Sequence, residues 1–88
     1  MRAAPDLPPH RKRLLLRCWR RGTREMDLIL GPYADARIQD MTADQLAAFE
    51  ALLVENDQDL YAWITGQSPA PAALAAVLEP VRRFHGIG

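Results

Sequence analysis

The sequence predicts an all-α fold in a single small domain, and three observations support this prediction. Ala, Leu and Arg are plentiful and β-branched residues are scarce, so intrinsic preference favours helix over strand. Apolar residues recur at helical spacing in successive segments, and capping residues separate those segments. Of the 88 residues, 49% are hydrophobic and 25% are charged, a balance typical of a folded globular domain.

The first helix is predicted after a proline-rich start. Three prolines within residues 1–9 lack amide donors, so we predict a disordered N-terminal arm there. Residues 10–21 place leucines along one face and arginines along another, which predicts an amphipathic helix. Gly22 then supplies the left-handed residue that commonly follows a helix end.

A second helix is predicted from Thr23, whose hydroxyl can cap its first turn. Glu25 and Asp27 lie in that turn, where negative charge is favoured by the helix dipole. Pro32 cannot donate a hydrogen bond to Leu28, so we expect a kink or a break within this helix.

Three further helices complete the predicted domain. Thr42 and Gln45 have the Thr-x-x-Gln spacing of a capping box at the start of the third helix. Asp57 is predicted to cap a short fourth helix, which is dense in apolar residues, ends at Gly66 and should fill the core. A fifth helix is predicted from about Pro71.

The predicted helices define a helical domain over residues 10–85, followed by a C-terminal tail over residues 86–88. No apolar run approaches the roughly 20 residues of a membrane span, and the N-terminus lacks the pattern of a signal peptide. Cys18 is the single cysteine, which excludes an internal disulfide and fits a reducing compartment. We therefore expect an intracellular protein that does not insert into membranes.

The net charge of zero conceals two regions of opposite sign. Residues 1–25 hold eight basic side chains against two acids, whereas residues 35–60 hold seven acids against one arginine. This asymmetry predicts either internal pairing of the two regions or a partner that contacts one of them. Zero net charge makes nucleic acid the less favoured partner, so we expect none.

The sequence shows no constellation for catalysis or metal binding. The two histidines and the cysteine form no ligand pair at close spacing, so no metal site is expected. Asp57-x-Asp59 lacks the glycine and the final glutamate of a calcium-binding loop. The glycines are scattered and form no phosphate-binding loop. A nucleophile, base and orienting group cannot be assembled, so no catalytic residue is assigned.

Residues 21–27, Arg-Gly-Thr-Arg-Glu-Met-Asp, resemble the Arg-Gly-x-x-Glu signature of the succinate dehydrogenase flavinylation factors. That family has a basic helix containing Trp or Cys before the signature and a Leu-rich segment after it. An acidic helix and an Asp-x-Asp-Leu-Tyr/Phe-x-Trp element follow, the latter here at residues 57–63. The resemblance covers about residues 11–66, with Thr23 at a position where a bulkier residue is common.

The resemblance implies a compact five-helix bundle that acts as an assembly factor rather than an enzyme. It implies binding to the flavoprotein subunit of succinate dehydrogenase, or of the related fumarate reductase, and promotion of covalent FAD attachment to a client histidine. FAD would belong to the client, so this chain would hold no cofactor stably. The protein would be a monomer when free, in the bacterial cytoplasm or, if eukaryotic, the mitochondrial matrix.

The resemblance also implies a client-binding site on the exposed signature. The site comprises Arg21, Gly22, Arg24 and Glu25, with Arg17, Arg20 and Asp27 as supporting interface. Gly22 would allow close backbone approach, and Glu25 would present a carboxylate for contact rather than proton transfer. Local helix capping explains Gly22 and Glu25 equally well. The alternative function is a helical adaptor or antitoxin-like module with a different partner.

Overall fold

The computed structural model describes residues 7–87, and within that range the chain forms five α-helices and no strand. The helices are α1 Pro9–Cys18, α2 Arg24–Arg37, α3 Ala43–Leu52, α4 Asp57–Thr65 and α5 Ala72–Phe84, with a 3-10 turn at Ile38–Asp40. The all-α prediction and the five-helix bundle are confirmed. No helix in the described range is long and apolar enough to cross a membrane.

The N-terminal end of the fold differs from the sequence prediction. Residues 1–6 of the predicted arm lie outside the described residues. Leu7, from the same predicted arm, is buried against the core. Helix α1 then begins at Pro9, because a missing amide donor is tolerated in the first turn of a helix.

The predicted end of α1 at residue 21 is wrong, since the helix ends at Cys18 and Trp19 follows as its C-cap. Gly22 has the expected positive φ, +110°, but it lies in the link between α1 and α2 rather than directly after the helix. The early end has a physical reason. Trp19 packs against Gly31 of α2, and Arg21 turns towards acidic groups on α2 and α4.

Helix α2 is capped as predicted, because the Thr23 hydroxyl accepts a hydrogen bond from the Met26 amide at 3.3 Å. The break considered at Pro32 is absent, and the helix continues to Arg37. Pro32 removes a single backbone donor, whereas the apolar face of α2 buries a row of side chains that hold the helix against the core.

The later helix boundaries are set largely by local caps. Thr42 and Gln45 form the predicted capping box, and Gly66 ends α4 in the left-handed conformation. The cap of α4 is Asn56 and not Asp57, since Asn56 Oδ1 accepts from the Asp59 amide at 2.8 Å. Asp57 becomes the first helical residue, where its carboxylate points to Arg21 instead.

The core lies between all five helices. Its side chains with no solvent exposure are Cys18, Leu30, Ala34, Ile38, Phe49, Leu52, Leu60, Ile64 and Val81. Helix α4 fills the core through Leu60 and Ile64 only, because Trp63 is half-buried and Tyr61 is exposed. The prediction that this segment packs into the core is confirmed by Leu60 and Ile64, with Trp63 packed against the core.

The C-terminal end is anchored as far as the structure describes it. His85 Nε2 lies 2.6 Å from the Ile29 carbonyl oxygen, and Ile87 packs against the core. Gly88, the last residue of the predicted tail, lies outside the described range. Residues 85–87 are thus tied to α2 and the core rather than extending from the bundle.

Candidate functional site

Arg21 of the signature points into the protein and joins three chain segments. Its Nε donates to Asp57 Oδ1 at 2.8 Å, Nη2 donates to the Glu55 carbonyl at 2.5 Å, and Nη1 donates to the Leu53 carbonyl. Its side chain is only 11% exposed. Leu53 is the C-cap of α3, so the guanidinium satisfies carbonyls that a helix end leaves without partners. Arg21 therefore ties the signature to the link between α3 and α4.

Asp27 holds the same segment from the other side. Its Oδ1 accepts a hydrogen bond from the Arg21 backbone amide at 2.7 Å. Asp27 lies in the first turn of α2, where the helix dipole also favours its negative charge. Both Arg21 and Asp27, which the sequence places among client-binding and supporting residues, already have partners within the fold.

The indole of Trp19 fixes where α1 meets α2. A Cβ atom at Gly31 would lie 2.5 Å from ring carbons of Trp19, a distance that real contacts do not reach. The indole Nε1 also lies 3.4 Å from Asp35 Oδ1. Only glycine at position 31 lets the ring pack this closely. This contact therefore fixes the position of the chain just before the signature.

Gly22, Arg24 and Glu25 point outward and are exposed. A Cβ atom at Gly22 would meet only Asp57 Oδ2, at 3.9 Å, so space does not require glycine here. The φ of +110° does require it, because side chains with a Cβ rarely adopt that conformation. Gly22 thus serves the backbone turn, and the same turn presents the two charged side chains that follow.

Helix α4 lies beside the outward part of the signature. A depression of about 180 Å³ separates the two, and its lining consists of Thr23, Glu25, Met26, Asp57, Gln58 and Tyr61. Tyr61 is 38% exposed, and Leu28, one helical turn after Arg24, is 52% exposed. The structure therefore brings the signature and the 57–63 element into one surface.

Sequence reasoning missed three residues of this surface, Leu28, Gln58 and Tyr61. A signal existed for two of them. Leu28 follows Arg24 by four positions, which places both on one helix face. Tyr61 belongs to the 57–63 element that the family resemblance had already singled out. Gln58 lies in the same element, but at the position where the family pattern fixes no residue type.

The two supporting arginines form a second exposed group on the α1 side. Arg17 and Arg20 flank a depression of about 230 Å³ that is also lined by Leu16 and Arg21. Since Arg21 is engaged by Asp57, the positive charge available at this depression comes from Arg17 and Arg20.

Cys18 is the last residue of α1, directly before the link that carries the signature, and it is fully buried. Burial raises the pKa of its thiol from 9.0 to about 12, against the opposing influence of Arg21 and Arg17. The thiol is therefore protonated at neutral pH, which agrees with its interpretation as an inert structural residue. Among residues 7–87, no cluster of three or more His, Cys, Asp or Glu side chains could hold a metal ion.

A small helical bundle that displays an exposed turn, anchored from within by Arg21 and Asp27, has the form of a protein that binds a partner. The family described as "Flavinator of succinate dehydrogenase" matches residues 12–85. The chain belongs to this family. The resemblance found in the sequence is confirmed, and with it the class of assembly factors for succinate dehydrogenase flavinylation rather than enzymes.

Individual relatives agree with the family match. The "FAD assembly factor SdhE" of Legionella pneumophila (strain Lens) is 39% identical, over 82% of this chain and 90% of that protein. The same-named protein of Acetobacter pasteurianus is 36% identical, over 78% of this chain and 63% of its own length. "Succinate dehydrogenase assembly factor 2, mitochondrial" of Penicillium rubens is 41% identical over 77% of this chain, which spans only 22% of the fungal protein. The relatives thus include bacterial proteins and mitochondrial ones.

Proposed function

We propose that this protein binds the flavoprotein subunit of succinate dehydrogenase and promotes covalent attachment of FAD to a histidine of that client. The related flavoprotein of fumarate reductase is a second candidate client. Family membership over residues 12–85 supports the process. The observation that supports the site is the outward turn Gly22–Glu25, held in place by Arg21 from beneath.

The anchoring of the turn favours tight and specific binding. Arg21 and Asp27 order the loop before any partner arrives, so less conformational entropy is lost on association. The exposed side chains beside the turn combine charge with apolar and aromatic area, since Tyr61 lines the same depression as Glu25 and Leu28 follows Glu25 by three positions on α2. Such a mixture, with Arg and Tyr enriched, is typical of protein interfaces.

The assistance we propose is conformational. A protein that binds one conformer of the flavoprotein more tightly stabilises that conformer by the difference in affinity. If the favoured conformer brings the histidine and the flavin into attack geometry, the attachment step becomes faster. Glu25 then acts through contact with a basic or amide group of the client, and not as a proton acceptor.

The FAD-binding site in this proposal belongs to the client and not to this chain. A cleft of about 460 Å³ between α2, α3 and α5 has an apolar wall that includes Phe49 and Val77. Its lining carries two acids, Asp40 and Asp44, against the single arginine Arg37, so its net negative charge disfavours the pyrophosphate of FAD. We therefore assign the flavin site to the client, and propose a monomer that works in the bacterial cytoplasm or, if eukaryotic, the mitochondrial matrix.

Co-production tests the proposal directly. The flavoprotein subunit is produced with and without this protein, and covalent flavin is measured by fluorescence of the denatured subunit in a gel. We expect a clear rise in covalent flavin when this protein is present. Equal fluorescence in both samples would contradict the proposal, and a pull-down that recovers a different stoichiometric partner would favour the adaptor function instead.

A further inference from the structure

Helix α1 carries its positive charge in an unfavourable place. Residues 10–13 are all basic or histidine and lie at the amino end of the helix, and its first turn holds no acid. The amino end of a helix is the positive end of its dipole, so the dipole of α1 does not explain why positive charge is placed there.

A row of like charges continues along α1 and into the link that follows it. Arg13, Arg17 and Arg20, which we call the basic face, follow at intervals of four and three residues, and all three are exposed. Arg13 and Arg17 are neighbours on α1, where like charges repel, and Arg20 lies just beyond the end of that helix. Within residues 7–87 none of the three forms an ion pair, although Arg21 and His10 do. Internal pairing with the acidic middle of the chain therefore leaves the basic face unneutralised.

The depression between Arg17 and Arg20 has the size and charge for an acidic side chain. Its volume is about 230 Å³, and Leu16 supplies apolar contact for the carbon chain of an aspartate or glutamate. Two arginines can donate to one carboxylate in a geometry that suits the flat guanidinium group. The third lining arginine, Arg21, is occupied by Asp57 and fixes one wall of the depression.

We propose that the basic face docks against an acidic surface of the flavoprotein client, with one client carboxylate between Arg17 and Arg20. This inference rests on the proposed function and extends its interface from the signature turn onto α1. The two surfaces are continuous, because Arg20 precedes Arg21 and the turn directly. One partner can therefore contact both at once.

The neighbourhood of the basic face favours a protein partner over nucleic acid. Glu25 is exposed on the adjoining turn, and its carboxylate would repel a phosphate backbone. Leu28 and Tyr61 add exposed apolar area that a polypeptide surface can cover. The chain as a whole has no net positive charge to attract a polyanion over long distance.

Binding of purified variants to the purified flavoprotein subunit tests the inference. Arg17→Gln/Arg20→Gln removes two positive charges, and Arg83→Glu changes the net charge equally at an exposed site on α5. We expect the double variant to bind roughly 5- to 30-fold more weakly at low salt, mainly through slower association, with the control within about twofold of wild type. At about 0.15 M salt the difference should shrink, since exposed charges are screened.

Three further results decide the matter. Arg17→Lys/Arg20→Lys keeps the charge but not the flat guanidinium group, so its affinity should lie between those of the double Gln variant and the wild type. An affinity as low as that of the double Gln variant would show that charge on these side chains does not contribute, and would overturn the inference. If the double Gln variant binds with wild-type affinity and salt dependence, the inference is overturned. If that variant still raises covalent flavin in the co-production assay, the proposed function stands without it. If wild-type protein binds double-stranded DNA as tightly as it binds the flavoprotein, and the double Gln variant loses that DNA binding, the inference is overturned in favour of a nucleic-acid surface.

Discussion

Arg21 and Arg24 lie on either side of Gly22 and Thr23, but the side chain of Arg21 points into the protein and that of Arg24 points to solvent. Arg21 is 11% exposed and donates to one carboxylate and two backbone carbonyls. Arg24 is exposed and forms no ion pair with any residue that the structure describes. The signature therefore has an inward half that builds the turn and an outward half that is available to a partner. Substitutions in the two halves should fail in different ways.

The largest expected effect belongs to the inward half. Arg21→Ala should lower the free energy of unfolding by about 2–4 kcal/mol, because it leaves the Asp57 carboxylate and two carbonyls without a donor. Denaturant unfolding followed by circular dichroism measures this loss. Arg24→Ala is the matched control and should change stability by no more than about 0.5 kcal/mol. Equal losses in the two variants would remove the distinction between the halves.

A smaller loss is expected at the base of the turn. Gly31→Ala places a methyl group where the Trp19 ring lies, and overpacking of this kind costs about 1–3 kcal/mol. The indole must move, so the tryptophan emission should shift as well. Ala36→Gly, exposed on the same helix, should cost about 1 kcal/mol through helix propensity and leave the emission unchanged. An unshifted spectrum for Gly31→Ala would show that the ring does not hold the turn.

The pH dependence of stability reports on the buried Cys18 thiol, which lies at the end of α1 just before the signature. The pKa of Cys18 is about 12 in the folded protein against 9.0 in the unfolded chain, since burial disfavours the thiolate. The folded state therefore holds its proton longer, and stability falls as pH rises above about 9, by about 1 kcal/mol between about pH 8 and pH 10. Cys18→Ala should flatten this part of the profile. An unchanged slope in that variant would place the titrating group elsewhere.

The smallest effect on stability belongs to the outward half. Glu25→Ala removes only a favourable dipole interaction of an exposed acid, about 0.3–1 kcal/mol, and helical content should stay nearly intact. Binding to the flavoprotein and the yield of covalent flavin should fall nevertheless. Glu79→Ala, an exposed acid on α5, is the control for both measurements. If Glu25→Ala instead unfolds the domain, its role is capping and not contact.

Local features were predictable because they depend on residues close together in the chain. The Thr23 cap, the capping box of Thr42 and Gln45 and the left-handed Gly66 each involve groups within about four positions. The exposure of Gly22, Arg24 and Glu25 was likewise predictable, and their contact with a client stays a prediction. The predicted cap of α4 was wrong by one residue, because Asn56 and Asp57 are both residue types that cap helices well. In the structure the Asp57 carboxylate binds Arg21, and Asn56 caps the helix.

The sequence by itself determined the helical class, most helix starts and the family of this protein. Those properties follow from composition, from helical spacing and from a short motif in a fixed order. The tertiary structure alone decided that Arg21 faces inward and that Tyr61 stands beside Glu25, because Arg21 and Asp57 are 36 positions apart. It also decided that α2 continues through Pro32, where packing of a whole helix face outweighs the loss of one hydrogen bond.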